Sequence, residues 1–204
     1  MRLASGLAAL LCACVIPLSA AEPPRFGLQV GFADAQGDLR DAVDSKLGIT
    51  AGAHMTFDLG KGWMVRPRLE YMAYPERSES SSYYDPNLGA TYRDSASSKI
   101  TGWSMGADAL YFLNNRPQGA YLLGGLGVIA WKLEGEASAW VTGPGVSEHE
   151  GFSDSQTWNK LAFTVGAGYQ FNRTFGLEGR LVMSKIGDDD NTANMFQAVA
   201  TFRF

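Results

Sequence analysis

Cysteine is almost missing from this chain of 204 residues. Cys12 and Cys14 are the only two, and both lie in the apolar N-terminal stretch. A chain that sheds that stretch has neither a disulfide nor a thiol to work with. Cationic excess is missing as well: 17 Lys and Arg stand against 21 Asp and Glu, a net charge of −4 that becomes −5 once Arg2 is removed. An acidic balance argues against nucleic acid as a partner. Beyond residue 21 no apolar run approaches the roughly 20 residues a transmembrane helix needs. Histidine occurs only at His54 and His149, proline eight times, and there is no long low-complexity tract.

What is present begins with a targeting segment. Arg2 is the only charge in the first 21 residues, Leu7 to Leu18 is apolar apart from Pro17 and the two cysteines, and Ser19, Ala20 and Ala21 are small. This is the order of a secretory signal peptide, with cleavage expected after Ala20 or Ala21. Leu11-Cys12-Ala13-Cys14 loosely resembles a lipobox. Cleavage before Cys14 would leave too short an apolar region, so that reading ranks second. Residues 22–204 are expected to form one domain. With no helical span, a membrane structure for them must be a closed barrel, because backbone groups in lipid must all be paired.

Twenty-four glycines and 24 aromatics accompany eight stretches of period-two alternation: 25–34, 46–58, 63–74, 98–113, 119–133, 157–171, 174–186 and 194–204. Phe26, Leu28, Val30 and Phe32 oppose Gly27, Gln29 and Gly31. Leu69 and Tyr71 oppose Arg66, Arg68 and Glu70. Phe163, Val165 and Ala167 oppose Thr164, Gly166 and Gly168. The stretch 119–133 is least clear, since both its faces are apolar or glycine. The polar faces carry Arg66, Arg68, Glu70, Asp108, Glu178 and Arg180. Unpaired charge is too costly for a dry soluble core. The same residues can line a narrow lumen while the apolar face meets lipid.

The connections alternate between long and short. About 11 residues follow the first stretch, then the turn 59–62, the loop 75–97, the turn 114–118, the loop 134–156, the turn 172–173 and the acidic loop 187–193. Extracellular loops and periplasmic turns alternate in this way, which puts both termini in the periplasm. Trp63, Tyr74, Trp103, Tyr111, Tyr121, Trp131, Trp158 and Tyr169 fall near strand ends, as interfacial girdles do.

The segment NMFQAVATFRF (Asn194–Phe204), with Phe196, Ala198, Ala200, Phe202 and Phe204 on one side, resembles the closing strand of a bacterial outer-membrane β-barrel. AYLLGGLGVIAWK (120–132), FTVGAGYQF (163–171), FGLEGRLVM (175–183) and AVATFRF (198–204) resemble the OmpA/OmpX-type small outer-membrane β-barrel, Glu178 and Arg180 standing at its Glu-x-Arg positions. The resemblance implies an all-β fold, an eight-stranded antiparallel up-and-down transmembrane barrel in the outer membrane. It implies that Phe202 and Phe204 form the assembly signal read by the barrel-assembly machinery. It also implies outer-membrane lipid and lipopolysaccharide as surroundings. No cofactor is implied, and no peptidoglycan-binding domain is expected after Phe204.

Candidate chemistry centres on the lumen charges Arg66, Arg68, Glu70, Asp108, Glu178 and Arg180, with His54 at a similar level. An eight-stranded barrel is just wide enough for side chains to fill it, so the charges are expected to pair across the interior as a plug. A gate or thin ion path is the alternative. Lipid-modifying catalysis would need His54 or His149 beside a nucleophile and an orienting acid; Ser147-Glu148-His149-Glu150 is the nearest approach. Asp188-Asp189-Asp190-Asn191 has oxygen ligands for Ca²⁺ but lacks EF-hand spacing, so a solvated loop is expected. The Ser- and Tyr-rich loop 75–97 suits an adaptable binding surface or a mobile loop. Gly125, Gly127 and Gly179, read as outward, would let barrels approach closely. The expected role is a non-catalytic envelope component with extracellular interaction loops and an unknown ligand. A gated channel ranks second and a lipid-modifying enzyme third.

Overall fold

The computed structural model describes residues 23–44, 46–143, 146–187 and 191–204. The signal-peptide segment with Cys12 and Cys14, and Asp188–Asp190 of the acidic loop, lie outside the described residues. Among the described residues ten strands and one short helix follow one another: β1 (Arg25–Gln36), α1 (Asp38–Ala42), β2 (Leu47–Gly60), β3 (Trp63–Ala73), β4 (Arg77–Asp85), β5 (Ala90–Phe112), β6 (Gly119–Gly143), β7 (Val146–Gln170), β8 (Phe175–Ile186), β9 (Asn191–Thr192) and β10 (Asn194–Arg203).

Eight of these strands form a closed antiparallel up-and-down barrel in the order β10-β1-β2-β3-β5-β6-β7-β8, with β8 pairing back onto β10. The closing ladder runs from Gly27↔Arg203 to Gln36↔Asn194. On its other edge β10 pairs Met195–Phe202 with Phe175–Val182. The ring thus has no open edge at barrel level. The lower end carries the start of β1, Phe204 and the short turns. At one of these the Asn172 side chain accepts the N–H groups of Thr174 and Phe175, both at 2.8 Å. The upper end carries the long hairpins.

The outward face is apolar all round the ring: Phe26, Leu28, Phe32, Ile49, Leu69, Trp103, Leu126, Leu161 and Phe163 are exposed. A contiguous apolar belt of this kind is what lipid covers. Aromatic pairs mark its margins, with Trp63–Tyr111 at 4.9 Å below and Tyr71–Trp103 at 5.0 Å above. The girdle expectation needs correcting at Tyr74, Tyr121, Trp131 and Trp158. Tyr74, Tyr121 and Trp131 are buried in the lumen, and Trp158 packs against the cluster around Trp131. On β6 the inward parity is Tyr121, Leu123, Gly125, Gly127, Ile129 and Trp131, while Leu122 and Leu126 face out. Apolar residues on both faces of β6 hid this parity from a reading of hydrophobicity alone.

The stretches 75–97 and 134–156 are strands rather than loops. Pro75 has no N–H to give to a ladder, so β3 stops at Ala73. β4 then resumes against β5 from Arg77↔Ser98 to Asp85↔Ala90. β5, β6 and β7 run for 23, 25 and 25 residues, against the roughly 9–11 needed to cross a bilayer. Their upper halves, with β4, form a four-stranded sheet raised above the barrel. Water bathes both of its faces, so its sequence has no apolar alternation to betray it.

The connection after β1 holds α1, which drops Leu39 and Val43 into the top of the lumen. It is clasped to the next hairpin where Asp38 accepts the Thr192 N–H at 2.8 Å and the Thr192 hydroxyl at 2.9 Å. Those two bonds hold the Asp38 carboxyl below the usual carboxylate range. A carboxyl with a depressed folded pKa contributes stability above its unfolded pKa and loses it as pH falls through the folded one. The protection factor of the Thr192 amide, its exchange rate relative to the intrinsic rate at the same pH, is therefore expected to fall as pH drops through the carboxylate range, and Asp38→Asn is expected to remove that dependence.

Leu126, outward on β6 between Ala107 and Phe163, lies beside the level of Asp108 and Thr164. Leu126→Arg is expected to cost about 2–4 kcal/mol at the bilayer midplane, read as a lowered urea midpoint in lipid vesicles.

Candidate functional site

The lumen is layered. At mid-height lie Arg66, Arg68 and Glu70 from β3, Asp108 from β5, and Glu178 and Arg180 from β8, each no more than 4% exposed. Period-two geometry stacks the β3 residues on one inward face. Closure of the ring brings β8 across to meet them.

The contacts form one connected network. Arg66 Nη2 donates to Asp108 Oδ2 and to Glu178 Oε2, both at 2.9 Å, and Arg66 Nη1 donates to Glu178 Oε1. Arg68 Nε donates to Asp108 Oδ2 at 3.1 Å, and its Nη1 to Glu70 Oε2 at 2.7 Å. Arg180 Nη2 reaches Glu70 Oε1 at 2.6 Å, and Arg180 Nη1 stands 3.9 Å from Glu178 Oε2. The fork of each guanidinium suits such shared bidentate contacts.

Neutral groups complete the layer. Tyr121 OH donates to Glu178 Oε1 at 2.7 Å, Arg68 Nη2 donates to Thr164 Oγ1 at 2.8 Å, Arg180 Nε donates to Gln197 Oε1 at 2.6 Å, and Thr50 donates to Glu70. With these, every strand of the ring except β1 contributes a side chain. Tyr121, Thr164, Gln197 and Thr50 were not singled out by charge. The signal that would find them is parity: each shares the inward face of its strand.

Space for the layer comes from glycine. A Cβ at Gly125 would stand 2.1 Å from Asp108 Oδ1. At Gly166 it would stand 2.8 Å from Arg180 Cα. Gly125 and Gly127 therefore face the lumen, not the lipid as the sequence suggested. Gly179 does face outward, under the Phe196 ring at 3.3 Å.

Above the layer an apolar plug fills the barrel. Trp131, Ile129, Met72, Tyr74, Met195 and α1's Leu39 lie at its centre, all nearly fully buried. Below the layer Met64, Leu110, Phe112, Tyr121 and Leu123 line one wall.

The histidines lie apart. His54 is buried in the lower lumen over Gly27. His149 is on β7 of the raised sheet, its ring 4.1 Å from that of Trp140. Ser147 shares the face of His149, but Glu148 and Glu150 point to the other face of the strand, so the sheet does not assemble these four into a catalytic row. Among the described residues no three His, Cys, Asp or Glu side chains are grouped to hold a metal.

The raised sheet has two unlike faces. The face continuous with the lumen carries Glu79, Asp94, Glu150 and the exposed Phe152 along a groove of about 830 Å³, floored by Ala96, Ala137 and Ala139. The opposite face carries a serine ladder, with Ser95 and Ser138 bonded at 2.8 Å, beside Trp140 and His149. Only the lower part of β7, Ala162–Gln170, pairs with β8. Among the described residues, no strand pairs with the outer edge of β7 over Ser147–Gln156.

Removing one member of a buried ion pair typically costs about 3–5 kcal/mol, because its partner is left charged and unpaired. Arg66→Met takes one of two arginines from Asp108 and leaves Glu178 with the Tyr121 hydroxyl and Arg180 at 3.9 Å, and is expected to lie at the lower end of that range by equilibrium urea unfolding. Tyr121→Phe, which removes one bond to a charge, is expected to cost about 1.5–3 kcal/mol.

Comparison with known proteins agrees with this architecture. The family model described as "Outer membrane protein beta-barrel domain" matches residues 5–204. Among solved structures the chain is similar to Ail, the attachment invasion locus protein of Yersinia pestis, with 16% identity and a TM-score of 0.51, covering 90% of this chain and 100% of Ail. It is also similar to the N-terminal β-barrel domain of Pseudomonas aeruginosa OprF, with 13% identity and a TM-score of 0.47 over 88% and 97% of the two chains. Neisserial surface protein A shows 15% identity and a TM-score of 0.44 over 88% and 95%. No curated protein matches the chain in sequence.

Proposed function

We propose that this chain, which belongs to the outer membrane protein β-barrel domain family, is a non-catalytic and non-conducting envelope protein whose work is done by the sheet it raises outside the cell. The observation that carries this reading is the contrast between the barrel's two parts. The lumen is filled by a buried ion-pair layer beneath an apolar plug, whereas the length of β5, β6 and β7 beyond the bilayer builds an exposed sheet. A barrel needing only to sit in lipid would have no use for strands twice the necessary length.

The sheet offers an acidic, apolar groove around Phe152, an aromatic and serine face around Trp140, and the outer edge of upper β7. Such an edge can accept an extended segment by main-chain bonding, and Glu148, Glu150 and Asp154 along it discourage indiscriminate pairing. The ligand is an extracellular macromolecule. In this reading the lower end and both termini lie in the periplasm, after export by the N-terminal signal. Lipid and lipopolysaccharide surround the outward belt, and the assembly machinery reads Phe202 and Phe204.

Two measurements test it. Mature protein, refolded and verified as folded, is expected to be silent in planar bilayers; discrete reproducible openings would favour the channel reading. A variant with residues 79–94 and 137–151 each replaced by a short turn keeps the barrel ladders and is expected to lose adhesion to host cells or matrix. Retained adhesion would sink the role of the sheet.

A further inference from the structure

The outward face of β6 is a height scale. Leu122 and Leu126 belong to the apolar belt. Ala130 pairs with Trp103 of the upper aromatic pair and so marks the top of the belt. Just above it come Lys132, its Nζ 2.5 Å from Glu134 Oε1, and Lys99, which lies opposite Glu134 on β5. Trp140 stands on the same face ten residues above Ala130. At ~3.3 Å per residue and a tilt of ~40°, that is roughly 25 Å above the girdle. The outward face of the raised sheet thus continues the lipid-covered face without a break. Whatever stands on the lipid surface meets it.

The chemistry of this face is unlike that of the belt below it. Trp140 is 48% exposed, and its ring lies 4.1 Å from that of His149. Arg93 is directly opposite Trp140 on β5. Two shallow hollows of about 460 and 440 Å³ meet at these two residues. One lies between Thr91 and Thr142, the other beside Ser80, Ser82 and Ser95. Ser80, Ser95 and Ser138 form one row of hydroxyls, groups that donate and accept equally well. Among the described residues neither the Arg93 guanidinium nor the Glu136 carboxylate, both exposed, is held in an ion pair or hydrogen bond. The other face of the sheet carries Glu79, Asp94, Glu148, Glu150 and Asp154, and its Arg77 is bound to Glu79. An anionic ligand is repelled there and accepted on the Trp140 face.

We propose that the outward face of the raised sheet is a saccharide-binding surface, occupied by the sugar chain of the lipopolysaccharide around the barrel. A pyranose has a flat C–H face and a rim of hydroxyls. Trp140 and His149 supply a flat, amphipathic platform for the first. The row of Ser80, Ser95 and Ser138 meets the second. The Arg93 fork takes a carboxylate or phosphate of an acidic sugar. Lys99 and Lys132, near the top of the belt, lie at the level of the lipid phosphates. Continuity with the lipid-covered belt fixes the occupant as lipid of the same leaflet, not a glycan arriving from outside. The inference rests on the reading of the raised sheet as the working part of the molecule, and it divides that sheet. One face is held by the cell's own lipid, and the acidic face with Phe152 is left to the extracellular partner.

The test uses the full barrel, isotope-labelled, in nanodiscs of phospholipid, of lipid A alone and of lipopolysaccharide with a complete core. The indole N–H resonance of Trp140, assigned through Trp140→Phe, and the Arg93 Nε–H resonance are expected to shift only in the core-bearing discs. Free core oligosaccharide, titrated onto the phospholipid discs, is expected to move the same two resonances. Trp140→Ala is expected to weaken that binding at least fivefold and to leave the urea midpoint unchanged. Should Trp140→Ala not fold, the wild-type discs decide alone. Resonances indifferent to the sugar, or identical in lipid A and core-bearing discs, overturn the proposal. Adhesion separates it from the role of the sheet. Trp140→Ala is expected to adhere as the parent does. Adhesion lost with this variant assigns the face to the extracellular partner, which overturns the lipid assignment and spares the sheet's role.

Discussion

Closure of β1 against β10 is the constraint on which everything else in this molecule depends. A sheet immersed in lipid has no water to satisfy its edge, so the ladder must return on itself. The Gly27–Gln36 to Asn194–Arg203 ladder accomplishes that return. Once the ring is closed, eight inward faces share a space that side chains fill, one too crowded for arbitrary residues. Glycine at Gly125 and Gly166 is a consequence, since the carboxylate of Asp108 and the backbone of Arg180 already occupy the room a Cβ would need.

The ion-pair layer follows from the same enclosure. Buried ion pairs repay their desolvation only when geometry is good and remaining donors are satisfied. Here each arginine of the network meets carboxylates from two strands or a carboxylate and a neutral acceptor. The layer ties β3, β5 and β8 together across the lumen, which main-chain ladders between neighbours do not do. The apolar plug above and the buried polar groups around Arg203 below give the barrel two different ends. The interior is apolar toward the raised sheet and polar toward the lower end.

In the function proposed above, contact with other molecules falls to the upper sheet. Three of its strands are extensions of barrel strands, so the barrel anchors their twist and register, yet both its faces are exposed and, among the described residues, no strand pairs with the outer edge of β4 or of upper β7. Phe152 and Trp140 lie on opposite faces of it. A rigid, two-faced surface presented this way differs from a set of mobile loops, because its side chains are already ordered before a partner arrives and less entropy is lost on binding.

Residues 25–34, 63–74 and 194–204 disclosed their strands, their faces and the barrel they form, because a membrane boundary imposes period-two alternation wherever a strand crosses it. Arg66, Arg68, Glu70, Asp108, Glu178 and Arg180 were legible as inward for the same reason: charge cannot face lipid. The sequence could not disclose residues 75–97 and 134–156 as strands, since water on both faces removes the alternation. Nor could it disclose the inward side of β6, where Tyr121 and Trp131 look as apolar as Leu122 and Leu126. By itself, then, the sequence determined the fold, the membrane-facing side and the charges that must hide. Only the tertiary structure decided which carboxylate each arginine of the network meets and that the upper strands form one sheet. Those outcomes depend on which strands become neighbours when the ring closes, and no local pattern encodes a distance across the lumen.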